Sequence, residues 1–225
     1  YQSKRQALYQ KALEQLHELK LIYPCTCSRQ TIANTLMSLG IETARNQEIV
    51  YPGTCRPSPH KIDSSELLST PKVAWRFALP ENCHIDFDDL ALGHQVQDLN
   101  KKVGDFVLRR NDGVFTYQLA VIVDDALQGI TRIVRGKDLL SNTARQIYLQ
   151  KVLGYVTPQY LHLPLVLDEY GEKLSKQTLA TQINTQDEQS SLAELRKAAQ
   201  HLGLRNLPDG KRVTIAEWLL AATQA

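Results

Sequence analysis

The sequence predicts an α/β protein. Runs rich in β-formers at 73–77, 106–108 and 130–134 alternate with stretches at 3–20 and 138–153 whose apolar residues recur every three to four positions. Hydrophobic residues make up 43% of the 225 and charged residues 22%. That balance supports a buried core and excludes disorder as the main state. The length suits one large or two small domains.

The elements follow in order. Ala7, Leu8, Ala12, Leu13, Leu16 and Leu19 give 3–20 an amphipathic helical stripe. Leu21-Ile22-Tyr23 leads into Pro24, which disfavours helix in the residue before it. Ser28 is a fitting N-cap for a short helix over 29–38, closed by Gly40. From 41 to 71 the chain is turn-rich, with Pro52-Gly53, Pro57, Pro59 and Pro71. A strand is expected at 73–77. A hairpin should join 106–108 to 114–117 through the Asn111-Asp112-Gly113 turn. Leu119–Val123 runs apolar into Asp124-Asp125, and 130–134 reads as a strand. The helix over 138–153 carries Leu139, Leu140, Ala144, Ile147, Tyr148 and Val152 on one stripe, with Gly154 at its end. Residues 160–167 are apolar and precede a turn at 168–171. Short helices are expected at 190–203 and 214–223, separated by a Pro208-Asp209-Gly210 turn.

Several classes fall away on composition. No run approaches the ~18 apolar residues of a membrane span, and no signal-peptide pattern opens the chain. A cytoplasmic protein with no membrane partner is expected. The net charge of +2 is too small to argue nucleic-acid binding from bulk charge. Charge is uneven, however. Residues 1–61 hold eight Lys/Arg against four Asp/Glu, and residues 62–100 hold two against seven. The basic front favours a phosphate-rich partner there. Met37 is the sole methionine, and the chain opens on Tyr1 inside a helical pattern. It is therefore expected to be a piece of something longer.

Three constellations carry chemistry. The four cysteines, Cys25, Cys27, Cys55 and Cys83, with no targeting signal, point to a reducing compartment and to metal binding rather than disulfides. Three thiolates from two loops suit Zn²⁺, and the fourth donor is open among Tyr51, His60, Cys83 and His84. The alternative is that small buried cysteines act as ordinary hydrophobes. Second, Lys173-Leu-Ser-Lys176-Gln177 follows the 168–171 turn and could clamp charge developing on a transferred phosphoryl or nucleotidyl group. It could equally be a solvated surface loop. Third, Tyr117 and Arg135 flank the 119–123 run, and Arg135-Gly136 lies between a strand and a helix, where α/β sheets place ligand contacts. Arg135 could grip a carboxylate through paired hydrogen bonds, or pair with Asp124, Asp125 or Asp138. Asp124-Asp125 could hold Mg²⁺ or serve as a solvated turn or helix cap. The six histidines form no spaced ligand pair, and no Gly-rich phosphate loop is present.

Taken in order, these strings resemble the glutamyl-tRNA synthetase family of class I aminoacyl-tRNA synthetases. They are Cys25-Thr-Cys27-Ser-Arg29, Tyr51-Pro-Gly-Thr-Cys55-Arg56, Asp105-Phe-Val-Leu-Arg-Arg110, Thr116-Tyr117-Gln-Leu-Ala, Val123-Asp124-Asp125 and Gly129-Ile-Thr. They continue as Val134-Arg135-Gly136-Lys-Asp-Leu-Leu-Ser141, His162-Leu-Pro-Leu165 and Lys173-Leu-Ser-Lys-Gln177. Within the family the chain is most similar to the branch that glutamylates queuosine in tRNA(Asp). Only 48 residues follow Gln177, and the cysteine arrangement and the signature-loop form match that branch.

The resemblance implies a Rossmann-like catalytic domain with an inserted zinc-binding subdomain. Residues 1–22 would be a helix of the catalytic domain and 23–104 the insert. Residues 105–167 would form the catalytic domain's second half, and 168–225 the signature loop with a short helical end. It implies an enzyme that activates L-glutamate with ATP and Mg²⁺ and transfers it to the queuosine base of tRNA(Asp). Tyr51 becomes the fourth ligand of a structural zinc beside Cys25, Cys27 and Cys55, although 23 residues between Cys27 and Tyr51 make the loop long. Tyr117 and Arg135 align with glutamate contacts, Lys176 with the lysine that contacts ATP, and Lys173 is its catalytic neighbour. The family's H-I-G-H-like motif is expected upstream of residue 1, in about 70–90 further residues, and activity is expected only with that segment. A monomer is expected. The competing readings are a truncated glutamyl-tRNA synthetase charging tRNA(Glu) and a non-catalytic, zinc-stabilised RNA-binding remnant.

Overall fold

The computed structural model describes residues 1–41, 49–58, 72–174, 182–209 and 213–224. They fall into two compact units, one of Tyr1–Val134 with Leu139–Leu161 and one of Arg135–Asp138 with His162–Ala225.

In the first unit, α1 (Gln6–Glu18) buries Tyr9, Ala12, Leu13 and Leu16, the stripe its spacing predicts. Strand β1 (Ile22–Cys25) lies at the edge of a three-stranded antiparallel sheet with β2 (Ala74–Phe77) and β5 (Phe106–Arg109), in the order β1-β2-β5. An edge position tolerates Pro24, which has no backbone donor. Ser28 caps α2 (Arg29–Ser38) by accepting from the Thr31 N–H. The hairpin of β3 (His84–Asp89) and β4 (Gly93–Asp98) pairs from His84↔Asp98 to Asp89↔Gly93. β3 also pairs in parallel with β7 (Gln159–Leu163) at Asp89↔Tyr160, in a second sheet of order β4-β3-β7-β6. A single helical turn, α3 (Leu99–Lys102), follows β4.

The expected hairpin forms from Arg110 back to Leu108, whose carbonyl accepts the Thr116 N–H at 2.8 Å. Arg109 bridges Phe115, and the Arg110 N–H reaches the Val114 carbonyl at 2.9 Å. Thr116 then adopts extended geometry as the N-cap of α4 (Tyr117–Leu127), so Tyr117 opens a helix rather than ending a strand. The apolar run that follows buries Leu119, Ala120, Ile122 and Val123 on this helix. A short apolar run fits either element, and here the helical spacing prevails. Strand β6 (Arg132–Gly136) leads through a 3₁₀ turn into α5 (Leu140–Leu153). The core of this unit joins α1, α4 and α5 to both sheets, with Phe77 stacked on Phe106 and meeting Tyr148 edge-on.

In the second unit, Asp187 caps α6 (Glu188–Leu202), and Thr214 with Glu217 forms a capping box on α7 (Ile215–Ala222). Their facing sides bury Leu192, Ala199 and Trp218. The 208–210 turn falls partly outside the described residues. No helix among the described residues is long and apolar enough to cross a membrane.

Candidate metal centre and substrate-binding residues

The end of β1 and the turn before α2 carry Cys25 and Cys27, and the loop at 49–58 brings up Tyr51 and Cys55. The three sulfurs lie within 4.8 Å of one another, with Cys27 and Cys55 3.4 Å apart. The Tyr51 hydroxyl sits among them, 3.5 Å from Cys25 Sγ and 3.4 Å from Cys27 Sγ, and accepts the Cys55 N–H at 2.7 Å. Cys25, Cys27 and Cys55 thus form a group able to hold a metal ion.

Charged side chains fix this arrangement from behind. Arg76 on β2 is only 8% exposed. Its Nε donates to Cys25 Sγ at 3.2 Å, its guanidinium lies 3.8 Å over the Tyr51 ring, and a terminal nitrogen donates to the Asp105 carbonyl. The buried Asp105 carboxylate accepts from the Tyr23 hydroxyl at 2.6 Å, from Arg56 at 2.7 Å and from the Leu79 N–H at 2.9 Å. Arg56 follows Cys55 directly, so Asp105 anchors the second cysteine loop. Gly104, at φ +65, makes room for it. A β-carbon there would stand 2.8 Å from Val50 Cγ1 and 3.1 Å from the Tyr51 nitrogen.

The electrostatics divide the thiols. Burial pushes Cys55 up, but the Thr26 N–H and hydrogen bonds from Tyr51 and the other two cysteines bring it down to about 7. Burial raises Cys27, and burial with the thiol contacts raises Tyr51. Three sulfurs and one phenolic oxygen match the sulfur, nitrogen and oxygen donors that tetrahedral Zn²⁺ takes, so the residues fit that ion.

The other possible fourth donors are placed elsewhere or lie out of view. Cys83 is buried in the main core, its N–H donating to Asn100. His84 is 3.4 Å from Asp98. His60 lies outside the described residues.

Tyr117 is the first residue of α4, 47% exposed. Gln118 beside it donates to Asn142 and accepts from Gln146 on α5, which pins the first turn of the helix. In the second unit, Arg135 Nε donates to Nε2 of the fully buried His162 at 3.1 Å. Acceptance at Nε2 puts the ring proton on Nδ1. A β-carbon at Gly136 would stand 2.5 Å from Asp138 Oδ1 and 3.3 Å from Leu165 Cδ2, so a side chain there requires the Asp138 carboxylate to shift. Asp138 forms an ion pair with Lys173. Lys176 lies outside the described residues.

Of the uses open to Asp124-Asp125, Asp124 serves the scaffold. Its carboxylate is taken by Arg5 Nε at 2.6 Å, the Tyr9 hydroxyl at 2.9 Å and Gln2, and it ties α1 to α4. Sequence reasoning overlooked Arg76 and Asp105 as supports of the cysteine cluster. Their signals were a lone charge inside the 73–77 strand and an acid opening the 105–110 string.

The family model for the catalytic domain of class I (E and Q) tRNA synthetases matches residues 1–207. The chain belongs to this synthetase family. A relative from Burkholderia cenocepacia named glutamyl-Q tRNA(Asp) synthetase is 48% identical over 227 residues, which cover 100% of this chain and 72% of the relative. A Cupriavidus metallidurans protein of the same name is 47% identical over 225 residues, 99% of this chain and 67% of its own. Among solved structures, a glutamate tRNA ligase from Elizabethkingia meningosepticum in complex with its amino acid is similar at TM-score 0.62 and 26% identity. The glutamate-tRNA synthetase of Elizabethkingia anophelis is similar at TM-score 0.63 and 26% identity. Both alignments cover 78% of this chain and 36% of the solved one, so this chain spans about a third of those synthetases. The resemblance read from the motifs is borne out for family and fold class, and with it a synthetase-type ligase.

Proposed function

We propose that this polypeptide activates L-glutamate with ATP and transfers it to the queuosine base at the wobble position of tRNA(Asp). The observation that carries this reading is 48% identity along the entire chain to relatives named for that activity. A glutamate carboxylate oxygen attacks the α-phosphorus of ATP and pyrophosphate leaves. A nucleophile of the queuosine base then takes the acyl group and AMP leaves. Arg135 grips a glutamate carboxylate through its planar fork of donors, with Tyr117 the second contact. Lys176, with Lys173 beside it, contacts ATP, which enters with Mg²⁺. Residues 23–104 form the inserted zinc-binding subdomain of this reading.

The deciding experiment offers labelled glutamate to the complete gene product with queuosine-containing tRNA(Asp) or with tRNA(Glu). The 3′ termini are oxidised by periodate to block ordinary charging. Label on oxidised tRNA(Asp) alone is the expected result. Charging of intact tRNA(Glu) instead would make the protein a glutamyl-tRNA synthetase, the activity for which its solved neighbours are named.

Lys176→Ala is expected to slow glutamyl-adenylate formation by ~10²–10³ while the glutamate KM stays nearly constant. An ammonium on a loop acts chiefly on charge that develops in the transition state. A large rise in glutamate KM with unchanged kcat would assign Lys176 to substrate binding instead.

The zinc in this reading is structural, held by Cys25, Cys27, Tyr51 and Cys55 with no open position for substrate. Metal analysis should return about one zinc per chain, and well under one would remove the metal from the account. Tyr51→Phe should weaken retention under a chelator. Undiminished retention would move the fourth-donor role to His60 or water.

A further inference from the structure

We propose that the cavity beside the cysteine cluster seats phosphodiester groups of the RNA substrate. The inference rests on the reading of this chain as a tRNA-modifying enzyme and adds a binding site to it. The cavity measures about 590 Å³, within the range of ligand sites. Three stretches of the first unit wall it: 25–32, 72–76 and 107–111. Arg29, Lys72, Arg76 and Arg110 are all in the lining, and no Asp or Glu is.

The four cations differ in how they are held. Arg76 is immobilised at the wall by Cys25 Sγ, the Tyr51 ring and the Asp105 carbonyl. Arg110 is paired with Asp112 at 2.6 Å. Arg29 and Lys72 are exposed, and neither forms an ion pair with a described carboxylate. One fixed cation in the wall and two with no described carboxylate partner in the same concavity concentrate positive potential. Thr26 and Asn111 add neutral hydrogen-bonding groups.

The lining also selects among phosphates. A nucleoside triphosphate arrives with Mg²⁺, which is usually bound through one or two carboxylates together with the phosphates, and the lining offers no carboxylate. Cations spread over three stretches of chain suit successive phosphates of a strand, whose binding is driven by counterion release.

The test compares the complete gene product with its Arg29→Gln/Lys72→Gln variant for binding queuosine-containing tRNA(Asp), from about 50 to 300 mM salt. Both side chains are exposed, so an unchanged thermal midpoint and zinc content are expected. Affinity should fall roughly tenfold near 0.1 M salt, and the plot of log K against log salt should become shallower by about 1.4–1.8. The KM values for ATP and glutamate should stay as they were. A Lys4→Gln/Lys11→Gln variant removes the same charge from exposed positions outside the cavity and should keep the parental slope. Several results overturn the proposal: an unchanged slope in the Arg29/Lys72 variant, an equal loss in the Lys4/Lys11 control, or a defect confined to ATP or glutamate. A parent that binds no tRNA at all removes the tRNA reading and this site together. A parent that binds with an unaltered variant slope removes only this site.

Discussion

Replacing Arg135 by alanine is expected to raise the glutamate KM by about thirty-fold to a few thousand-fold, equivalent to roughly 2–5 kcal/mol. The size follows from leaving a desolvated carboxylate without its charged partner. Arg135 is the penultimate residue of β6, with its Nε committed to His162 at 3.1 Å, so the plane of the guanidinium is set before substrate arrives. Preorganisation of this kind makes the side chain selective for a planar carboxylate and makes lysine a poor replacement. Arg135→Lys should therefore fall between the parent and the alanine variant. The measurement is ATP–pyrophosphate exchange against glutamate concentration, with the ATP KM as internal reference. A glutamate KM unchanged in both variants would make Arg135 a structural partner of His162 and move the carboxylate contact elsewhere.

Much of the scaffold was legible because its signals are local. The stripe of Tyr9, Ala12, Leu13 and Leu16 is a property of three- and four-residue spacing, and it buries as that spacing requires. Ser28 caps α2 with a bond formed three residues away. The β3–β4 hairpin was missed although Ile85, Phe87 and Asp89 do alternate with exposed residues. Its acidic residues are poor strand formers, and pairing with β7 more than seventy residues on supplies what local preference does not. Tyr117 was misplaced for the converse reason, because a short apolar run reads alike in helix and strand until its neighbours are known.

The cysteine cluster shows the same division. Three thiols could be read from the string, where Cys25, Cys27 and Cys55 on two loops raised metal binding beside the alternative of small buried hydrophobes. What holds them could not. Arg76 and Asp105 meet across strands β2 and β5, and Tyr23 reaches Asp105 across 82 positions of sequence. Such contacts exist only once the sheet has formed.

Asp105→Ala is accordingly expected to be among the most damaging single changes to stability. The carboxylate is buried and accepts from Tyr23, Arg56 and Leu79. Alanine would leave the buried Tyr23 phenol and the Leu79 N–H without their acceptor and would take the charge partner from Arg56, whose side chain is 34% exposed and still donates to the Leu79 carbonyl. Two buried donors left unsatisfied, at about 1–3 kcal/mol each, cost about 2–6 kcal/mol together. For a chain of this length that corresponds to a fall in Tm of roughly 4–24 °C. Asp105→Asn keeps one acceptor oxygen in place and should lose less, which separates the charge from the hydrogen-bond geometry. The loss should also reach the metal site, because Arg56 carries the tie from Asp105 to the loop of Cys55 and Tyr51. Zinc retention under a chelator should therefore fall in both variants, in the same order as Tm. A Tm within 1–2 °C of the parent's for Asp105→Ala would mean that water replaces the carboxylate at little cost. Normal zinc retention together with a large loss of Tm would show that Asp105 stabilises the sheet and leaves the cysteine loop to hold itself.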